Sequence, residues 1–216
     1  MSSLIEELKA KCPVSQETIE ENGVIFRQGF PAKVTIVESG YALLYRHFHT
    51  KSRNHYGRIN YGVLRPSDIL SGSDAILEEV NSYSARALTG MKIGRINPGD
   101  FEDLMKVDPD LATKVMFSSF QLVQKFQDRL LVLPRFSVKA NLARFLLDNA
   151  EPDGFLPGTF TQEMLADSVA ARRETVNPLI SSFEEAIEIM RGGRIRISSQ
   201  ENLFKIAQGE RLHLRK

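Results

Sequence analysis

The side chains best suited to chemistry in this 216-residue chain are arginines, and they gather toward its C-terminal part. Arg172 and Arg173 stand together, Arg191, Arg194 and Arg196 follow, and Arg211, Arg215 and Lys216 come last. Residues 139–216 nevertheless carry 11 Lys/Arg against 11 Asp/Glu, and the whole chain is only +1. Affinity for a polyanion must therefore come from where charge is placed rather than from its sum. The acids fall between the basic clusters, as at Glu184, Glu185 and Glu188. Other chemistries find less material. There is no P-loop, no G-x-S-x-G, no H-E-x-x-H and no nucleophile with a spaced base, so no enzyme is expected. Cys12 is the single cysteine, which excludes an intrachain disulfide and a cysteine-ligated iron–sulfur cluster within one chain. It also leaves a redox switch without a resolving thiol. His47 and His49 share a strand face in the polar run RHFHTKSRNHYGR, with His55 further along. A metal or haem ligand role and exposed hairpin histidines both fit that pattern. No metal site is assigned, and no cofactor can be named.

Two kinds of element must position the arginines. QEMLADSVAARRETVNPLIS, residues 162–181, fits two helices crossing at a tight turn. Leu165, Ala166 and Val169 form the inner face of the first, and Ala166 is small where the second crosses. Ala170, Ala171 and Arg172 make the turn, and Val176 with Leu179 form the inner face of the second. Thr161 is a good N-cap, without the Glu or Gln three residues on that would complete a capping box. Arg191-Gly192-Gly193-Arg194-Ile195-Arg196-Ile197 then reads as a tight hairpin. Alternation puts Arg194 and Arg196 on one face, suited to phosphate, and Ile195 and Ile197 on the core.

Upstream, residues 2–11 read as a short helix. From 18 to 98, short apolar runs at 24–26, 34–37, 41–45, 59–64, 83–88 and 92–96 alternate with glycines, which predicts a sandwich or barrel. Asp108-Pro109-Asp110 predicts a helix start with Asp108 as cap. Residues 109–133 are the longest helical pattern, with Leu111, Val115, Leu122, Phe126, Leu130 and Leu133 at steps of three, four or seven. Met116, Phe117, Phe120, Val123 and Leu131 widen its apolar surface. Such a helix needs more than one surface to bury against, so one face is expected on the β-domain and another on a twin helix. Pro134 ends it, a second helix follows at 137–149, and 151–158 is a loop by composition. No apolar run is long enough to span a bilayer. The first residues lack a basic segment followed by an apolar one, so no secretory signal is expected and a cytoplasmic location is.

ARRETVNPLISSFEE resembles the recognition-helix signature of the catabolite activator / fumarate-nitrate regulator (CRP/FNR) family of bacterial transcription regulators. The resemblance extends upstream. NGVIFRQGFPAKVTIVESGYALLYR at 22–46 is similar to the opening strands of the family's sensor roll. LRPSDILSG at 64–72 and YSARAL at 83–88 resemble its phosphate-binding cassette, and FEDLMKVDPDLATKVM at 101–116 resembles the approach to its dimerisation helix. The fold so implied is α+β: a double-stranded β-helix (jelly-roll) sensor at 1–108, a dimerisation helix at 109–136, and a winged helix-turn-helix at 137–216. The partners implied are double-stranded DNA, a second copy through 110–133, RNA polymerase and a small-molecule effector, with no membrane.

By the same resemblance, Arg173 and Glu174 stand where the family reads bases; Arg can bond bidentately to guanine and Glu can accept from cytosine. Thr175 and Arg172 stand at phosphate-contact positions, Asn177 is carried over as a further contact, and Arg194 and Arg196 belong to the wing. The chain departs from the pattern at Ala170, where glycine is common, and at Pro178, where a basic residue is usual. Proline inside the helix removes one backbone bond and tends to kink it. In the sensor, cyclic-nucleotide-binding members hold the ribose with a glutamate and the phosphate with an arginine followed by serine. Here Gly72 and Ser73 stand near the glutamate position, and Tyr83 precedes Ser84 where arginine would sit. A phosphodiester would lack its charge-assisted partner, so an effector other than cyclic AMP is expected. Arg86 lies nearby with the wrong strand parity and should face away. Tyr83, Ser84 and the polar helix residues Ser118, Gln121 and Gln124 are the candidate lining for another effector. Two rival readings are an enzyme and a stand-alone ligand-binding subunit that lacks DNA reading.

Overall fold

The computed structural model describes residues 4–50, 55–183 and 185–209. Arg211, Arg215, Lys216 and Glu184, and the side chains of His55 and Leu130, lie outside the described residues. The chain forms two compact units: Met1–His47 with Val63–Lys125, and Phe48–Gly62 with Phe126–Lys216. The outer part of one sensor hairpin groups with the C-terminal elements, and the long helix contributes to both units.

In the N-terminal part of the chain, α1 (Leu4–Lys11) precedes the strands β1 (Ser15–Ile19), β2 (Val24–Phe26), β3 (Val34–Ser39), β4 (Ala42–Thr50), β5 (His55–Leu64) and β6 (Ile69–Leu70). A short helix α2 (Gly72–Ile76), then β7 (Ser84–Ala87) and β8 (Met91–Ile96), complete the roll. Two four-stranded sheets result, ordered β1-β8-β3-β6 and β2-β7-β4-β5, so the sandwich expected from the short apolar runs is present. Alternation alone misses β1, whose burial pattern is exposed at four positions and buried only at Ile19. Its antiparallel pairing with β8, from Ser15 opposite Arg95 to Ile19 opposite Met91, is what makes it a strand. The core of this unit joins Val34, Ile36, Ile69 and Ile96 of the strands to Ile5, Leu8 and Cys12. Phe101 and Leu104 of α3 (Pro98–Val107) and Leu111 and Val115 of α4 (Pro109–Val132) close it. Asp108 caps α4 as expected: its Oδ1 accepts from the Leu111 amide at 3.0 Å, while Lys11 Nζ donates to Oδ2 at 2.5 Å. The lysine and that amide together hold the Asp108 carboxyl below its usual range.

Beyond Val115, α4 turns apolar side chains outward. Phe117 is 60% exposed and Phe120 56%, with Met116, Val123 and Leu131 exposed beside them. Leu122 and Leu133 are half-buried, and Phe126 is half-buried with its ring edge-on to Tyr61 at 6.1 Å. The second unit contains α5 (Val138–Asn149), α6 (Gln162–Ser168), α7 (Arg173–Ser181), β9 (Ile187–Ile189), β10 (Ile195–Ile197) and α8 (Gln200–Gln208). Ser137 caps α5 by accepting from the Ala140 amide. Asn141, buried, donates its Nδ2 to Leu133 O at 2.8 Å and Phe136 O at 3.1 Å, satisfying carbonyls in the turn after α4. The core here is Phe145, Leu142, Leu146, Leu165, Val176, Phe183 and Leu203.

Candidate nucleic-acid interface

The helix pair forms as its spacing requires. Thr161 Oγ1 accepts from the Met164 amide at 3.1 Å and starts α6. Leu165, Ala166 and Val169 are buried as expected. On α7 the buried pair is Val176 and Ile180, while Leu179 is half-buried. The expected pairing of Val176 with Leu179 is corrected to an i, i+4 pair, which follows the 3.6-residue turn more closely. Ala170 sits in the turn at φ +51°, the left-handed region. The Ala171 amide donates to Ala166 O at 3.0 Å, so α6 ends in the way that usually selects glycine. The position is occupied without one.

This turn sets the first residues of α7 on the surface. Arg172 is the N-cap with extended backbone, and Arg173, Glu174 and Thr175 follow, all four exposed. Arg173 Nε donates to Gln162 Oε1 at 3.1 Å. Holding Nε leaves the two terminal nitrogens as the outward edge, the edge that pairs bidentately with a guanine. Sequence spacing does not single out Gln162, although it is the first residue of α6 as Arg173 is of α7. Asn177 is half-buried, and its Oδ1 is enclosed without a hydrogen-bond partner. Pro178 lies inside α7, and the exposed surface beyond it consists of Pro178, Ser181 and Ser182. The charged donors and acceptors of the helix are therefore confined to its first turn.

The wing forms by the pairing of β10 with β9, with Ile195 opposite Ile189, Arg196 opposite Glu188 and Ile197 opposite Ile187. Gly192 and Gly193 take φ +89° and +80°, which only the missing Cβ makes easy at two successive positions. Ile195 and Ile197 are buried while Arg194 and Arg196 lie toward solvent, as alternation requires. Both guanidiniums share one aromatic surface: Arg194 Cζ lies 4.7 Å and Arg196 Cζ 5.6 Å from the centre of the Phe155 ring. Phe155 comes from the loop at 151–158, which adds a rung to the wing through Leu156 N to Ile195 O (2.9 Å) and Ile197 N to Gly154 O (2.8 Å).

The sensor cassette is built differently. Ser71 Oγ donates to Asn81 Oδ1 at 2.8 Å, and Asn81 Nδ2 donates to Phe30 O and Pro31 O at 3.1 and 3.2 Å. Asp74 Oδ2 accepts from the Ser82 amide at 3.0 Å. Ser84 is buried, and its Oγ accepts from the Gln28 amide at 3.0 Å. Tyr83 is half-buried, with Arg46 Cζ 6.0 Å from its ring centre. Arg86 donates to Asn22 Oδ1 at 3.1 Å. Gly72 begins α2, Ser73 is exposed, and Gln121 and Gln124 are exposed on α4. Near the cassette, burial pushes the Asp68 carboxyl up. Burial likewise pushes up the Cys12 thiol, the direction that disfavours a reactive thiolate. His47 and His49 are exposed. Among the described residues no three His, Cys, Asp or Glu gather to hold a metal ion, and no helix is long and apolar enough to cross a membrane.

Comparisons with known proteins bear on both units. Residues 16–108 match the cyclic nucleotide-binding domain, and residues 140–206 match the Crp-like helix-turn-helix domain. The HTH-type transcriptional regulator Cmr of Mycobacterium tuberculosis is 29% identical over 147 residues, which cover 68% of this chain and 59% of that protein. The chain thus spans under two thirds of this relative's length. FixK2 from Bradyrhizobium japonicum shares the fold with a TM-score of 0.73 at 16% identity, over 90% of this chain and 97% of that one. A CRP/FNR-family transcriptional regulator from Thermus thermophilus shares it with a TM-score of 0.72 at 21% identity, over 90% and 99%.

Proposed function

Since the chain belongs to the CRP/FNR family of transcription regulators, we propose that it is a homodimeric, sequence-specific DNA-binding regulator of the bacterial cytoplasm. The observation that carries this reading is the exposed first turn of α7, with Arg172, Arg173, Glu174 and Thr175 raised on a buried two-helix crossing beside an arginine-bearing wing. Arg173 and Glu174 read base edges, and Arg172, Thr175, Arg194 and Arg196 hold phosphates. Asn177, half-buried with its Oδ1 unpartnered, remains a proposed further contact. The exposed stripe of Met116, Phe117, Phe120 and Val123 supports pairing of two copies through 110–133, since an apolar helix face of this length buries itself against a partner. Two recognition helices then enter successive major grooves about 34 Å apart, which calls for an inverted repeat. RNA polymerase is the further partner of such a regulator. No reaction is assigned to the chain.

The effector is a small molecule other than cyclic AMP. Gly72 and Ser73 stand near the position of the glutamate, and Tyr83 at that of the arginine, that a cyclic nucleotide needs, and the Ser84 hydroxyl already meets the Gln28 amide. Gly72, Ser73, Tyr83 and Ser84, with Gln121 and Gln124, remain the proposed lining.

The test is site selection from random duplex DNA with the purified protein and no added ligand. An enriched inverted repeat supports the dimeric regulator; enrichment of a single unrepeated site overturns the dimer. Pro178 favours a second reading, a sensor whose DNA reading is weakened. If nothing is enriched, the selection is repeated with Pro178→Arg. Recovery of a repeat by that variant alone favours the second reading.

A further inference from the structure

The reading unit contains a piece of chain from far upstream. Residues 48–62, the outer part of β4 and β5, group with the helix-turn-helix rather than with the rest of the roll. They are held there by polar bonds. Arg58 of β5 donates Nε to Asp167 Oδ2 at 2.6 Å, with Nη2 2.5 Å from the same oxygen and 3.9 Å from Glu163 Oε1. Arg58 and Asp167 keep only 21% and 19% of their side-chain surfaces. Two residues on, and so on the same strand face, Asn60 is fully buried. Its Nδ2 donates to Met164 O at 2.8 Å and to Ser168 Oγ at 3.1 Å. An i, i+2 pair on a strand thus grips positions 163, 164, 167 and 168 of α6, one face of that helix.

The charges explain why such a grip is useful. The first helix of a helix-turn-helix crosses the DNA backbone. Here α6 carries Glu163 and Asp167 one turn apart, two carboxylates on the helix that must approach phosphates. Within the helix-turn-helix, the nearest arginines in sequence are at the start of α7, where Arg173 already bonds Gln162. A cation that meets Asp167 comes from 109 residues earlier in the chain.

We propose that Arg58 is a positioning residue for DNA reading: from strand β5 it neutralises Asp167 and, with Asn60, fixes α6 so that α7 is presented to the groove. This rests on the proposal that α7 reads DNA. The clasp makes the β4–β5 hairpin a working part of the reading unit.

The experiment compares wild type, Arg58→Met, Asp167→Asn and the double variant, all full-length, on a duplex carrying the inverted repeat selected by wild type. Binding is followed by fluorescence anisotropy over a range of salt. Arg58→Met should weaken binding about tenfold, because it leaves the largely buried Asp167 carboxylate without this arginine and loosens the hold on α6. Asp167→Asn should bind at least as well as wild type, and the double variant should return to within about threefold of it, since the uncompensated, largely buried charge is then gone. Arg58→Met binding like wild type overturns the proposal, as does a double variant no better than Arg58→Met. The double variant lacks the same hydrogen bonds as Arg58→Met, so its recovery also separates charge from misfolding. Amide hydrogen exchange over residues 162–169 gives a readout without DNA. Faster exchange in Arg58→Met than in wild type supports the clasp, and equal exchange overturns it. If wild type binds no duplex at all, the reading of α7 fails while this exchange comparison still decides the clasp.

Discussion

The cassette and the recognition helix are the two places where a regulator of this kind meets a ligand, and the chain treats them oppositely. In the cassette the polar groups bond to the chain itself: Ser71 to Asn81, Asn81 to two carbonyls, Asp74 to an amide, Ser84 to an amide. At the recognition helix Arg172, Glu174 and Thr175 face solvent, and Arg173 is steadied through one nitrogen while its outer edge stays presented. Buried polar groups are costly unless bonded, whereas exposed ones cost little and can be kept for a partner. The same residue types therefore bond within the chain in one place and stay exposed in the other. A motif match alone does not separate these cases; burial and bonding do.

The comparison breaks most visibly at Asn81. Asn81 is buried, and Asn81→Ala takes this partner from Pro31 O and Ser71 Oγ. The expected cost is about 2–3 kcal/mol of folding stability, measured by chemical denaturation. Operator affinity of the folded fraction should not change. A variant that stays fully stable would mean that the cassette is not held by these bonds.

The reciprocal variant is Arg173→Ala. Loss of one bidentate base contact is worth about 1–3 kcal/mol of discrimination at a single base-pair position. Denaturation should be unaffected within about 0.5 kcal/mol, since the side chain is exposed. Gln162→Ala should reproduce part of the effect at the same position, through the lost hold on Nε. Equal weakening on every sequence, with no position singled out, would instead assign Arg173 to a phosphate.

What can be read from sequence divides along the same physical line. The helix-turn-helix, the wing turn and the Asp108 cap are legible because each is set by neighbours within a few residues. They are a Thr161 cap with its Met164 amide, two glycines in left-handed backbone, and an aspartate before a proline. The polar edge strand β1 and the short β6 are not, since pairing rather than alternation makes them strands. Helix α8 is absent from the expectations, although Ser199 caps it at the Asn202 amide and Leu203 and Ala207 lie on one face; those signals are present in the sequence. Gln162 beside Arg173, Phe155 beneath two arginines, and Arg58 on Asp167 join segments distant in sequence, and no local pattern announces them.

The smallest effect tests the turn that holds the recognition helix in place. Ala170 adopts φ +51°, where a Cβ meets the following backbone and glycine does not. Ala170→Gly removes that strain but makes the unfolded chain more flexible, so the net gain should be only about 0.5–1 kcal/mol. Because Ala170 is exposed, no packing change should mask it. A matching rise in the denaturation midpoint with unchanged operator preference would show that the turn carries strain unrelated to reading. A gain in stability with altered preference would show that the strained turn helps aim Arg172 and Arg173. The border between residues that maintain the fold and residues kept for a partner would then run through Ala170 itself.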